Sequence, residues 1–367
     1  MLEKGKMSAY QMGLLMYPLI LATGFITLPV TAGEYAKNDL WMTPLVASIC
    51  GLISVLTAIR LHELYPKQTP IQYSTRIAGK IPGKILGIAY FLLITSISGT
   101  VTRQYADFVT GNFLFKTPIL LVIFSILLLA AFAVRGGVEM IARSATIFTP
   151  FFILPTFFLL FLIPDLDVRN LFPVLHHGWV PVLKGAAMPQ AWFSEYFLIS
   201  FFLPYLTDPQ KGRKWGVLSL SAAIMSLTYV NIITLFLLGV DSSNKMYPIL
   251  VAFRYISLGN FFENLESLLL AMWVLGNFVK IGGFYYTAAL SLAQCLSLSD
   301  YRPVVFPVGL LIMACSLWGL PTFAATAIYN RFIIPFELPL MLTVIPLLLL
   351  LTAIFKRKAL GKGGAEQ

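Results

Sequence analysis

The stretch that decides the class of this protein is Tyr10-Gln11-Met12-Gly13-Leu14-Leu15-Met16-Tyr17-Pro18-Leu19-Ile20-Leu21-Ala22-Thr23-Gly24-Phe25-Ile26-Thr27-Leu28-Pro29. It is long and apolar enough to span a bilayer, which takes about 20 residues. Ala22-Thr23-Gly24 falls at its middle and predicts an interruption. A second such segment, Met188-Pro189-Gln190-Ala191-Trp192-Phe193-Ser194-Glu195-Tyr196, lies inside the sixth apolar run. Interrupted helices at matching places in two halves point to a binding site at mid-membrane. Broken backbone is tolerated there only where it faces protein or a cavity.

The chain is 58% hydrophobic and 11% charged, with mean hydropathy +0.82. Soluble domains carry roughly 25% charged residues, so residues 1–367 read as one membrane domain. Met1 to Ser8 is short and leads into a full span, so the first helix is expected to act as the insertion signal. Spans are expected at 10–31, 41–59, 85–101, 118–134, 145–163, 185–206, 215–240, 265–292, 303–320 and 338–354. Spans one and six begin about 175 residues apart, two and seven about 174, three and eight about 180, as in an inverted repeat. The fold class expected is therefore an all-α polytopic membrane protein. It has ten transmembrane helices in an inverted five-plus-five repeat, about 8–163 and 184–355, with helices one and six broken. A short basic tail covers 356–367.

With ten spans, 17 Lys and Arg fall on the side of the termini and 8 on the other, which places both termini in the cytoplasm. The net charge of +10 is thus topology, and no soluble basic face exists to bind nucleic acid. Cys50, Cys295 and Cys315 are unpaired in spacing and read as packing residues. The adjacent His176 and His177 do not make a metal site. No catalytic constellation is present, so neither an enzyme nor a cofactor is expected. The loops 164–184 and 241–264 are each either covers for an outward vestibule or plain interfacial loops.

Candidate binding residues follow from the two interruptions. Free N–H groups near Ala22, Thr23, Gly24, Phe25 and Ile26 suit a carboxylate. Phe193, Ser194 and Glu195 face them from span six. A Glu that deep must be paired, protonated or turned inward. Span eight carries Lys280 near the midplane, on one stripe with Asn277, Thr287 and Ser291. An unpaired ammonium there costs at least ~2.5–3.5 kcal/mol, so a partner is expected, with Glu195 the leading candidate. The two form either a coupling pair or a structural ion pair. Arg103 reads as an interface anchor.

Several segments together resemble the spore germination permeases, the B-type membrane subunits of nutrient germinant receptors, within the amino acid–polyamine–organocation superfamily. They are Ser8-Ala9-Tyr10-Gln11, Ala22 to Pro29, Ala36-Lys37-Asn38-Asp39-Leu40-Trp41, Arg169-Asn170-Leu171-Phe172-Pro173-Val174-Leu175, Phe193-Ser194-Glu195-Tyr196-Phe197 and Asp300-Tyr301-Arg302. The likeness runs over nearly the whole chain. The family often carries a Gly after the Phe-Ser of span six, where this chain goes directly to Glu195. The resemblance implies a pocket between spans one, three, six and eight, and a subunit that senses a nutrient, an amino acid, in the spore inner membrane. It also implies an A-type membrane subunit and a C-type lipoprotein as partners. The alternatives are a proton- or ion-coupled amino-acid transporter of the same fold, and a water or ion conduit opened during germination.

Overall fold

The first helix starts where its sequence says it should. Ser8 accepts from Gln11 N–H (3.2 Å) while the Gln11 side chain accepts from Ser8 N–H (2.9 Å), a reciprocal cap that satisfies two of the free donors at a helix start. The computed structural model of the chain describes residues 3–256, 265–319 and 322–363. The end of the expected outer segment, 257–264, and the end of the expected tail, 364–367, lie outside the described residues.

The chain is built of α1 (Ala9–Ala36), α2 (Thr43–Leu64), the short α3 (Pro70–Ala78), α4 (Lys80–Asn112), α5 (Ile119–Arg135) and α6 (Val138–Ile153, continued by a 3-10 turn to Asp165). Span six follows as α7 (Trp179–Gly185), α8 (Ala187–Ser194) and α9 (Ile199–Phe202), with 3-10 turns at Glu195–Leu198 and Leu203–Tyr205. Then come α10 (Gly212–Leu238), α11 (Pro248–Tyr255), α12 (Glu266–Cys295), α13 (Arg302–Ala314), α14 (Phe323–Phe332), α15 (Ile334–Pro339) and α16 (Ile345–Gly363). Among the described residues, seven helical stretches are long and apolar enough to cross a membrane. The first of them, Ala9–Leu64, joins α1 and α2 through a 3-10 turn.

α1 is the central element, packed by α6, α10 and α12, and most of its side chains are fully buried. The outer faces stay apolar where no protein covers them, as at Ile85, Leu121 and Phe151. This is the pattern of helices solvated by lipid tails.

Two expectations meet different outcomes. Span six is interrupted: α-helix gives way to a 3-10 turn at Glu195. The first helix is not. It runs through Ala22-Thr23-Gly24 without a break. The stretch from Ala22 to Ile26 is buried on all sides, so the cheapest partners for its N–H and C=O groups are those of its own helix. Gly24 serves close approach instead: a Cβ there would lie 3.3 Å from the Trp192 ring. Pro18 sits inside α1 and withholds the donor for the Leu14 carbonyl. The Thr149 hydroxyl of α6 donates to that carbonyl at 3.0 Å. Thr149→Val is expected to cost about 1–3 kcal/mol, and Pro18→Ala in the same background should recover most of it. Thermal unfolding of the two variants checks both.

Glu34 is exposed near the end of α1, and the turn to α2 leaves Lys37 exposed and buries Asp39, whose carboxylate accepts from Leu175 N–H at 2.9 and 3.1 Å. The loop after α6 is thereby fixed to this turn, and Asn38 also donates to the Asn170 carbonyl (2.9 Å).

Candidate functional site

Three elements meet at one buried cation. Lys280 of α12 donates to Glu195 Oε2 at 2.9 Å and to Thr23 Oγ1 of α1 at 3.0 Å. Its Nζ stands 5.3 Å from the centroid of the Phe284 ring. Lys280 is 0% exposed and Glu195 1%. Glu195 opens the 3-10 turn that interrupts span six, so the place where the helix changes type is also the place where its charge is held. On the α1 side, the Thr27 hydroxyl donates back to the Thr23 carbonyl at 2.9 Å.

A cavity of about 650 Å³ opens beside this layer, toward the C-terminal end of α1. α1 contributes Thr27, Val30, Thr31, Glu34 and Tyr35; span six contributes Lys184, Ala187, Met188 and Trp192; and α12 contributes Trp273. The register is informative. Thr27 is one helical turn from Thr23, Trp192 one turn from Glu195, and Trp273 two turns from Lys280. With a rise of 1.5 Å per residue, the cavity floor and the ion pair are separated by roughly 5–10 Å on the same three elements. Trp192 joins the two layers, since it lines the cavity and covers Gly24. Both cavity carboxylates already hold an arginine: Arg103 Nε donates to both Asp107 oxygens (3.0 and 3.1 Å), and Arg331 lies 2.7 Å from Glu34. Arg103, read from the sequence as an interface anchor, is therefore an ion-pair partner beside the cavity, with its side chain 12% exposed.

The expected site residues divide into three groups. Thr23, Glu195 and Lys280 come together. Gly24 touches Trp192, while Ala22, Phe25, Ile26 and Phe193 pack as core, Phe25 edge-on to Phe152 at 6.3 Å and Phe193 against Gly51 of α2. Ser194 bonds its own helix, donating to the Ala191 carbonyl at 2.6 Å. Along α12, Thr287 donates to the carbonyls of Gly283 and Phe284, and Asn277 to that of Trp273 (2.9 Å). Ser291 is buried without a hydrogen-bond partner. None of Asn277, Thr287 and Ser291 borders the cavity. The N–H groups of residues 23–26, expected to be free, belong to the unbroken helix.

Sequence reading missed α14, which lines the cavity through Thr326, Ala327, Asn330 and Arg331. Its signal was available: Thr322 caps the helix by accepting from Ala325 N–H at 3.1 Å. Of the two outer loops, the segment before α11 borders the cavity through Met246 and Tyr247, whereas 164–184 reaches it only at Lys184.

Residues 6–324 match the sequence family described as Spore germination protein. The chain belongs to the spore germination protein family. Its relatives include Spore germination protein KB of Bacillus subtilis (strain 168), 24% identical over 374 residues that cover 100% of this chain and 99% of that protein. Putative spore germination protein YfkT of the same organism is 28% identical over 367 residues, covering 97% and 98%. Among solved structures, MhsT in complex with L-phenylalanine superposes with a TM-score of 0.64 at 15% identity, covering 92% of this chain and 88% of that one. That likeness bears on the fold alone. The protein is thus a multi-pass, all-helical membrane member of the spore germination family, with the role of a germination permease or receptor.

Proposed function

We propose that this chain is the sensing subunit of a nutrient germinant receptor in the spore inner membrane, and that its ligand is an amino acid. The observation that carries this reading is the register of the site: a cavity of about 650 Å³ whose floor lies one or two turns from a buried ion pair, on the same three elements. A ligand resting on Thr27, Trp192 and Trp273 presses on the elements that hold Thr23, Glu195 and Lys280. Ala22, Gly24, Phe25, Ile26, Phe193 and Ser194 form the packed layer behind that floor. The two arrangements of the bundle then differ in how well they bind the ligand, and the ligand shifts their populations by that difference alone. Both termini are cytoplasmic in this reading, so the cavity opens outward. An A-type membrane subunit and a C-type lipoprotein read out the state. The names of the relatives and the amino acid in the MhsT complex support the assignment.

The test is equilibrium binding and uptake of a panel of labelled amino acids by the purified chain in proteoliposomes. Saturable binding of one of them, weakened by Trp192→Ala and without gradient-driven accumulation, is the expected result. Accumulation that follows a pH gradient would make the protein a coupled carrier. Increased water or ion permeability with no saturable solute would make it a conduit.

A further inference from the structure

We infer that Glu195, Thr23 and the face of Phe284 form a site for an ammonium-sized monovalent cation, and that the chain occupies it permanently with its own Lys280. The protein then needs no free alkali cation to hold α1, span six and α12 together.

The argument starts from how buried carboxylates are satisfied elsewhere in the chain. Glu3 is 3% exposed and accepts from Gly5 N–H (2.6 Å), Val138 N–H (3.0 Å) and the hydroxyls of Tyr301 (3.1 Å) and Tyr286 (3.4 Å). Asp39 is 4% exposed and accepts from Leu175 N–H. Both use neutral donors. Glu195 differs: its hydrogen-bonded partner is a whole positive charge, Lys280, at 2.9 Å. A carboxylate at this depth without a compensating charge is strongly unfavourable.

The surroundings of Nζ are those of a cation site. An anionic oxygen lies on one side and a hydroxyl oxygen on another, with an aromatic face at 5.3 Å. Aromatic faces attract cations, including small alkylated ammonium ions. These groups come from three separate elements, so the cation joins parts of the chain that sequence places 257 and 85 residues away from Lys280. The butyl stem of Lys280 acts as a tether that raises the local concentration of the ammonium without any free ion. Truncating the stem leaves the oxygens and the ring in place and opens a space for a soluble ion of similar size.

The experiment uses the purified full-length chain, read by thermal unfolding in about 0.2 M potassium, sodium, methylammonium or choline chloride. The unaltered protein should unfold at the same temperature in all four. Lys280→Ala should unfold at a lower temperature in choline, which is too large for the site. Methylammonium should raise its midpoint by roughly 2–4 °C, as binding to the folded state alone requires. Lys280→Ala combined with Glu195→Ala should lose the response. A folded Lys280→Ala protein with one midpoint in all four salts would overturn the inference. Should that variant not fold in any salt, Lys280→Ser, which keeps Glu195, Thr23 and the Phe284 ring, decides by the same readout, and equal midpoints in all four salts would overturn the inference. These readouts do not involve a nutrient, so they stand or fall separately from the sensing role.

Discussion

Replacing Lys280 by Met, or Glu195 by Leu, is expected to destabilise the protein by about 3–5 kcal/mol, because each leaves the other charge buried without its partner. The double variant should be far less damaged than the sum of the two. A double-mutant cycle on unfolding free energies is therefore expected to give a coupling at the upper end of the usual 0.5–3 kcal/mol range. The contrast is with pairs such as Arg60–Glu63 and Glu139–Arg143, whose side chains are 45–67% exposed. Those are expected to contribute no more than about 1 kcal/mol each. Additive losses at Lys280 and Glu195 would mean that the two charges do not hold each other. The cycle also separates the two readings of the pair. A double variant that recovers stability but no longer responds to ligand assigns the pair a part in sensing. One that recovers both makes the pair a structural lock.

Ala187→Trp is expected to abolish ligand binding, by more than about tenfold, while leaving the unfolding free energy within about 1 kcal/mol. Ala187 lines the cavity from the first turn of α8, and its side chain is partly exposed there. An indole at that position extends into the cavity, so it removes space from the ligand without displacing core side chains. Isothermal binding of the amino acid found in the panel, beside the unfolding midpoint of the same preparation, checks both halves. Binding unchanged in this variant would move the ligand out of the cavity. Loss of binding together with collapse of the fold would point to core disruption, and Ala327→Trp, on the α14 lining of the cavity, then repeats the test from a second element.

Parts of this site were legible before any fold was known. Lys280 in an apolar run had to have a partner, because an isolated ammonium in a membrane is too costly; Glu195 was the deepest acid available, and the two are 2.9 Å apart. The interruption of span six was legible for a similar reason, since Met188 to Tyr196 combines a Pro with a buried Glu. Ala22-Thr23-Gly24 misled. A glycine flanked by small residues signals a break and a close helix contact equally well, and here the contact is with Trp192. Asn277, Thr287 and Ser291 misled in another way: polar side chains on one helix face often bond their own backbone, as Thr287 and Asn277 do.

The sequence by itself determined that this is a membrane protein, that its sixth span is interrupted, and that Lys280 requires a counter-charge. These follow from composition and from the cost of burying charge, which act locally along the chain. Tertiary structure alone decided that α1 stays whole, that Thr23 shares the ammonium with Glu195, and that the cavity is walled by α14 and the segment before α11 as well as by spans one and six. Those outcomes depend on which surfaces approach one another across hundreds of residues. The space left between packed helices is a property of the assembly, and no single segment encodes it.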